Sequence, residues 1–450
     1  MTILPEVQQA PDVLSLQQQF LCLLDQGDGA GPFGSQYVLV DGWRLRGRVD
    51  VEAMRLALAD VVERHEAPRT QINRADGSGT QSVLPAKRPE LLVLDLHEPP
   101  GADRDRRAEQ LINETEARPF PVDSLPLLRA VLGRFDDEDS VLVLATHHSA
   151  SDAWSIQVVM RDLADSYAAR AAGREPHLAE AVQYRDYTAA QRQEATGPAV
   201  AASRAYWREN LRGARILVAP KRRDEQVTPA TTWHRFLTEP DLRAGLSKLA
   251  SETRSSPFMV LLAAFTVFIH RRTGATDIVV PTFAPGRRHQ RFQATVGSFV
   301  NFVPLRTDLE GCRTFRDVAE RARKASLGAF AHELPLLHVL AEAPELMSSA
   351  GPDAAPCLFQ VIQPPYMMLG EKIGELEYTA IWRRVISQPL GSDIPDGMLW
   401  SMHLGETEVL GALGYSRHLF DHAQVDEQVA DYLAVLGEMV ADLDAPIAGS

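Results

Sequence analysis

Five consecutive apolar residues, Val141 to Ala145 (Val-Leu-Val-Leu-Ala), lead through Thr146 into two adjacent histidines, His147 and His148. A run this short and this uniformly apolar fits a strand buried on both faces, because a strand with one wet face would alternate. The period then changes. Ile156, Val159, Leu163 and Tyr167 recur at helical spacing, and the pattern stops near Gly173. The chain therefore has to bury a strand, turn at a histidine pair and leave along a helix. Strand ends of this kind are where a rigid sheet presents reactive groups to a cleft.

The same grammar recurs along the chain. Gln36 to Asp50 reads as a strand, with Trp43 and Leu45 alternating against Arg44 and Arg46. Asp50 is placed to cap a helix through Arg64 whose apolar face is Val51, Met54, Leu58, Val61 and Val62. Phe258 to Arg272 is apolar nearly all round and predicts a core helix. Strands are expected over Asp277–Thr282, Phe299–Leu305 and Leu358–Gln363, with a last helix over Gln424–Leu443. Mixed strands and helices in both halves point to an α/β or α+β fold, and pattern alone does not choose between them. At 450 residues two compact units are expected. The polar stretch Gly173 to Gly197 is the candidate connection, giving domains at 1–178 and 179–450.

The net charge of −14 argues against a nucleic-acid partner, whose binding face should be basic. No stretch reaches the length of a membrane span, and Met1 to Asp12 has neither the basic nor the apolar region of a secretory signal. Cys22, Cys312 and Cys357 lie far apart, which suits free thiols better than a disulfide framework or a zinc site. A soluble cytoplasmic protein is expected.

A positioned imidazole titrates near neutrality and can take a proton from an attacking amine or hydroxyl. In an extended segment His147 and His148 point to opposite faces, so only one can face a given cleft. Two other readings stand beside catalysis: hydrogen-bonded core histidines, or a metal site using His148 and Asp152. The latter would need further ligands, and no HExxH or Cys/His cluster lies near.

His147-His148-xxx-Asp152, followed by Ala153-Trp154-Ser155, resembles the HHxxxDG signature of non-ribosomal peptide synthetase condensation domains. Leu14 to Phe20 (Leu-Ser-Leu-Gln-Gln-Gln-Phe) is similar to that family's opening motif. Arg64-His65-Glu66-Ala67-Pro68-Arg69-Thr70 resembles its RHExLRT motif, and Tyr206-Trp207 its aromatic pair. Gly297 to Arg306 (Gly-Ser-Phe-Val-Asn-Phe-Val-Pro-Leu-Arg) is similar to GxFVNTLPLR, and Tyr415 to Asp421 to the closing YxxDLFD. These matches run from Leu14 to Asp421, in the family's order.

The resemblance implies two chloramphenicol acetyltransferase-like subdomains in a V-shaped pseudo-dimer with a central tunnel. It implies a donor peptidyl carrier protein whose phosphopantetheine arm brings an acyl thioester, and a small-molecule or carrier-bound acceptor. No bound cofactor, metal, nucleic acid or membrane is implied. His148 is then the catalytic histidine and His147 its structural neighbour. Asp152 is expected to pair with an arginine of the Arg64/Arg69 motif, and Ser298 and Asn301 to line the tunnel. Trp154 and Trp207 read as core more than as substrate contacts. The basic runs Lys221-Arg222-Arg223 and Arg287-Arg288 read as solvated faces that could attract an acidic carrier.

Several positions depart from the family's pattern. Ala153 replaces a glycine, Pro68 interrupts the RHExLRT segment, and Phe302 stands where threonine is usual. Pro281 replaces a glycine, and Gly391-Ser392-Asp393 stands where Lys-Phe-Asp is common. These changes favour an unusual acceptor. With no carrier segment and no adenylation motif in it, the sequence is similar to free-standing condensation enzymes of the enediyne type, some of which make esters, and an amide or an ester product is expected. The intact histidine pair weighs against a non-catalytic recruitment module. The order Trp154-Ser155 weighs against an epimerisation domain, and the full run of motifs against a coenzyme A-dependent acyltransferase.

Overall fold

The strand that ends in the histidine pair is buried at every position from Asp139 to His147, as its unbroken apolar run demands. In the computed structural model the described residues are 13–448, apart from 28, 76–77, 98, 100–102, 195–196, 223, 352 and 395–396. The reading of the first twelve residues, and Arg223 of the first basic run, fall outside them.

In chain order the elements begin α1 (Leu16–Leu23), β1 (Val38–Arg46), α2 (Val51–Arg64), β2 (Thr70–Ala75), β3 (Ser78–Val83) and β4 (Leu91–Asp95). Next come α3 (Arg104–Glu116), β5 (Leu128–Arg134), β6 (Asp139–His147), α4 (Ala153–Ala171), α5 (Tyr184–Glu194), α6 (Pro198–Asn210), β7 (Val218–Pro220) and β8 (Thr231–Leu237). Then follow α7 (Pro240–Glu252), α8 (Pro257–Thr273), β9 (Asp277–Ala284), β10 (Asn301–Asp308), α9 (Phe315–Ala331) and α10 (Leu336–Glu342). The chain closes with β11 (Ala354–Ile362), β12 (Leu369–Ile373), β13 (Leu376–Ala380), β14 (Met398–Leu404), β15 (Val409–Ser416) and α11 (His422–Ala441).

Two compact units result. The first comprises Met1–Pro198, Pro285–Phe299 and Pro365–Ile381; the second is the remainder. The first is built on a six-stranded sheet in the order β12-β13-β1-β6-β5-β4. β6 is central and antiparallel to both neighbours, and the register with β1 sets His147 opposite Val38. Val141, Val143 and Ala145 pack with Ala108, Leu111 and Ile112 of α3. Pleat alternation leaves Leu142 and Leu144 for the opposite face. Each such fully buried side chain contributes about 1.5–3 kcal/mol.

A single cut after residue 178 does not separate these units. The Gly173–Gly197 stretch is no bare linker, because α5 lies in it and packs on the first unit: Tyr184 Oη bonds Ser15 Oγ at 2.9 Å, and Gln17 Nε2 donates to Tyr187 Oη at 2.9 Å. Later segments also return to the first unit. The β12–β13 pair extends its sheet, with Trp43 of β1 opposite Ala380, and 285–299 brings in an ion-pair partner described below.

The second unit holds a five-stranded sheet in the order β7-β11-β14-β15-β8, with β11 and β14 parallel, and a separate β9–β10 pair. Its core helix is α8. Ser256 caps it by accepting from Met259 N at 3.3 Å, and Gly274 ends it at φ 71°, a left-handed conformation that glycine adopts freely. Phe265 and Phe268 on α8 meet Trp400 with ring centroids 5.5 Å apart in each case. No single helix among the described residues is long and apolar enough to cross a membrane.

Candidate active site

β6 carries His147 to the end of the sheet, and a four-residue turn leads to Asp152, the N-cap of α4. His147 is fully buried. Its Nε2 lies 3.1 Å from Gly34 O, a carbonyl that can only accept, so the proton sits on Nε2. Nδ1 then accepts from Ser149 Oγ at 2.8 Å and Ser149 N at 3.2 Å. Both nitrogens are engaged, and burial, ahead of the charge of His148, holds this imidazole down at about 4. His147 is therefore neutral near pH 7, with no ring nitrogen left open.

His148 has the complementary arrangement. Its Nδ1 lies 2.9 Å from Ser151 O, so Nδ1 carries the proton and Nε2 the lone pair. Among the described residues no protein group bonds Nε2. The ring stacks on Tyr37 with centroids 4.7 Å apart and planes 15° apart, and its backbone N–H donates to Tyr37 O at 2.8 Å. Burial lowers its pKa from the ordinary 6.5, so the imidazole is unprotonated near neutrality. A fixed tautomer with a bare basic nitrogen is what a general base requires.

Asp152 is buried and fully satisfied. It caps α4 by accepting from Ser155 N at 2.7 Å, and it accepts from Phe299 N at 3.0 Å. Its cation is Arg287, whose Nη1 and Nη2 reach the two carboxylate oxygens at 2.7 and 3.2 Å. This corrects the expected pairing with Arg64 or Arg69. Arg64 donates through Nε to Asp162 at 2.8 Å and through Nη1 to Ala179 O. Arg69 holds the carbonyls of Val62, Leu84 and Glu63. Arg64 is thus engaged by the Asp162 carboxylate and a loop carbonyl, and Arg69 by backbone carbonyls, so neither pairs with Asp152. With its carboxylate closed by Arg287 and two backbone amides, Asp152 is no metal ligand for His148.

Arg287 is thus no part of a solvated face: its side chain is 1 % exposed. Nη2 also donates to Ser155 Oγ at 2.7 Å and Thr295 O at 3.0 Å, and the guanidinium lies 3.8 Å from the Phe299 ring centroid. Ser155 Oγ donates in turn to Gly297 O at 2.8 Å and accepts from Gly297 N at 3.0 Å. The segment 285–299 is therefore clipped to the start of α4. Gly297 has to be glycine, because a Cβ there would stand 2.0 Å from Tyr184 Cδ2. Ala153, the first residue of α4, has an ordinary helical backbone.

Other site candidates fall as follows. Trp154 is half-buried and donates through Nε1 to Gln293 O at 2.8 Å. Ser298 accepts from Tyr184 Oη through its carbonyl at 2.6 Å, and with Gln18, Ser149 and Tyr184 it lines a cavity of about 10 Å³, room for a water but not for a substrate. Asn301 and Trp207 belong to the second unit. Asn301 donates to Glu333 Oε1 and Leu334 O and accepts from Leu336 N, so its amide is used in fixing the loop before α10. Trp207 is fully buried, with Nε1 donating to His332 O at 2.7 Å. Sequence reasoning missed Tyr37 and misread Arg287. The GRR triplet after β9 was visible, but nothing local says that a partner 135 residues away will bury one of its arginines.

A model of the family described as "Condensation domain" matches residues 19–348. The chain belongs to the condensation domain family. Condensation domains are acyltransferases that form amide bonds in non-ribosomal peptide synthesis. The SgcC5 protein from Streptomyces globisporus superposes with a TM-score of 0.92 at 45% identity, over 96% of this chain and 100% of that one. One polypeptide of the linear gramicidin synthase of Brevibacillus parabrevis is 38% identical over 73% of this chain but only 4% of its own length. Another polypeptide of the same synthase is 32% identical over 95% of this chain and 8% of its own length. The chain thus spans less than a tenth of these synthetases. The first condensation domain of the calcium-dependent antibiotic synthetase shares the fold at 20% identity, with a TM-score of 0.78 over 97% of this chain and 98% of that one. The mixed α/β architecture of the two units is accordingly the chloramphenicol acetyltransferase-like fold of condensation domains.

Proposed function

We propose that this chain transfers an acyl or aminoacyl group from the phosphopantetheine thioester of a donor carrier protein to an amine or alcohol. The observation that carries the reading is the unprotonated Nε2 of His148, fixed by the Nδ1–H bond to Ser151 O. The nucleophile's lone pair attacks the thioester carbonyl while its proton passes to Nε2. The C–S bond then breaks, and the proton returns to the departing thiolate. A thioester is already activated, so alignment supplies much of the rate, and the base adds ~10²–10⁴-fold. His147, Asp152 and Arg287 act by holding the turn that carries His148; they do not move protons.

The chain needs no bound cofactor for this chemistry, since the phosphopantetheine arm comes with the carrier. An alcohol acceptor, and hence an ester, is favoured by one relative: SgcC5 was crystallised with an aromatic 1,2-diol, (R)-(-)-1-(2-naphthyl)-1,2-ethanediol. The acceptor class proposed is accordingly a free aryl diol or a related amino alcohol. The test is a donor and acceptor matrix read by mass spectrometry. An aminoacyl carrier protein and the matching coenzyme A thioester are each offered an aryl diol and its amine counterpart. Product from the carrier with the diol, and much less from coenzyme A, is expected. Equal turnover of the coenzyme A thioester would make the protein a carrier-independent acyltransferase. Carrier binding without product from any pair would make it a recruitment module.

A further inference from the structure

At the edge of the second unit's sheet, far along the chain from the histidine pair, three ligating side chains converge. His234 lies on the edge strand β8, while His422 and Asp426 lie one turn apart at the start of α11. Their ligand atoms all fall within 4.8 Å of one another, and among the described residues no other group of three does so. His234 Nδ1 is 3.4 Å from Asp426 Oδ1, and His422 Nε2 is 3.9 Å from Asp426 Oδ2. Both gaps are too long for a good hydrogen bond. They suit an ion between the groups, because ligands held 2.0–2.1 Å from a tetrahedral Zn²⁺ lie about 3.4 Å apart.

A second observation, independent of that convergence, is the contact behind His422. Its Nδ1 lies 2.6 Å from the hydroxyl of Tyr415, a buried residue on β15. When Nδ1–H donates to that oxygen, the Nε2 lone pair points at Asp426. A hydrogen bond at the other ring nitrogen fixes tautomer and ring orientation, as outer partners do for metal-bound histidines, here with a phenol oxygen in place of the usual carboxylate, carbonyl or water. The side chains are 20, 63 and 52 % exposed for His234, His422 and Asp426, which leaves an outward position open to water.

We propose that His234, His422 and Asp426 form a binding site for a divalent transition-metal ion of the Zn²⁺ class, completed by water, with Tyr415 as its supporting hydrogen-bond partner. Two imidazoles and a carboxylate select such an ion over Mg²⁺ or Ca²⁺, which take oxygen ligands. Bound there, the ion ties the edge strand β8 to the first turn of α11. The site is separate from the proposed acyl transfer and does not depend on it.

The test is Zn²⁺ titration of the full chain against a chromophoric chelator, with Co²⁺ absorption reporting coordination geometry. Wild type is expected to bind one equivalent, to give a tetrahedral Co²⁺ spectrum and to melt at a higher temperature with Zn²⁺ than with EDTA. In His422→Gln/Asp426→Asn the site and the Zn²⁺-dependent shift are lost, so that this variant melts at the same temperature with Zn²⁺ as with EDTA. Tyr415→Phe keeps all three ligands and weakens binding ~10-fold. Zn²⁺ binding by wild type no tighter than by the double variant would overturn the proposal. So would full-strength binding in His234→Gln.

Discussion

The two histidines at the end of β6 differ in what their ring nitrogens touch, and that difference should be visible in how each responds to acid. His147 is held at about 4 in the folded chain, against 6.5 for a free imidazole, because burial penalises its charged form. Between those values the unfolded chain binds more protons than the folded one, so stability rises with pH across the window and is complete above 6.5. Acidification from pH 7 to 4 should remove about 3 kcal/mol through this residue alone. Burial lowers His65 and His148 as well, which adds to the loss in the same direction. Urea denaturation at a series of pH values measures it, and in His147→Gln the slope between pH 4 and 6.5 should be shallower. A wild-type slope of zero there would contradict the buried neutral imidazole. Activity should follow the other histidine: kcat/KM is expected to be level above pH 6.5 and to fall below it as His148 protonates.

At the scale of elements, the turn after β6 is held by the pairing of Asp152 with Arg287. Replacing Arg287 with methionine keeps the apolar contact with Phe299 but leaves a buried carboxylate without its cation. That should cost about 3–5 kcal/mol, read by chemical denaturation, with activity falling in step with the folded fraction. A destabilisation under 1 kcal/mol would contradict a buried ion pair at this turn. The elements themselves were legible wherever a period ran long enough. β6, α2, α4, α8 and α11 all lie where hydrophobic spacing and caps predict them. The helix α5 was not legible, because its buried face is Ala190 with Tyr184, Tyr187 and Thr188, and these last three are polar-tipped residues that satisfy their hydroxyls on α1, on the 285–299 segment and on the helix's own backbone. The same reason hid Arg287: its partner is fixed by tertiary structure, and local pattern reports only that arginines are usually solvated.

Across the whole molecule the two units are interleaved in sequence. The family resemblance running from Leu14 to Asp421 predicted their fold class, but a cut at one residue could not describe them. The first unit needs 365–381 for two strands of its sheet and 285–299 for Arg287. A fragment ending at Pro198 should therefore lack cooperative unfolding, since it exposes the β1 edge and strands Asp152 as a buried, unpaired charge. Differential scanning calorimetry of that fragment against the whole chain tests this, and a sharp transition in the fragment would show that the returning segments are dispensable. Arg64 and Asn301 illustrate what motif position alone leaves open. Both sit in segments that match the family, and both are fastened to backbone and carboxylate groups, partners that motif position does not specify.

The central claim, that His148 is the base of an acyl transfer, is tested most directly by single-turnover reaction of an aminoacyl carrier-protein thioester with an aryl diol or amine. Wild type and His148→Ala are compared, with product read by mass spectrometry and folding checked by calorimetry. The predicted result is product from wild type and a rate ~10²–10⁴-fold lower in a variant that melts close to the wild-type temperature. An equal rate in a folded His148→Ala variant would contradict the claim and move the base to another residue.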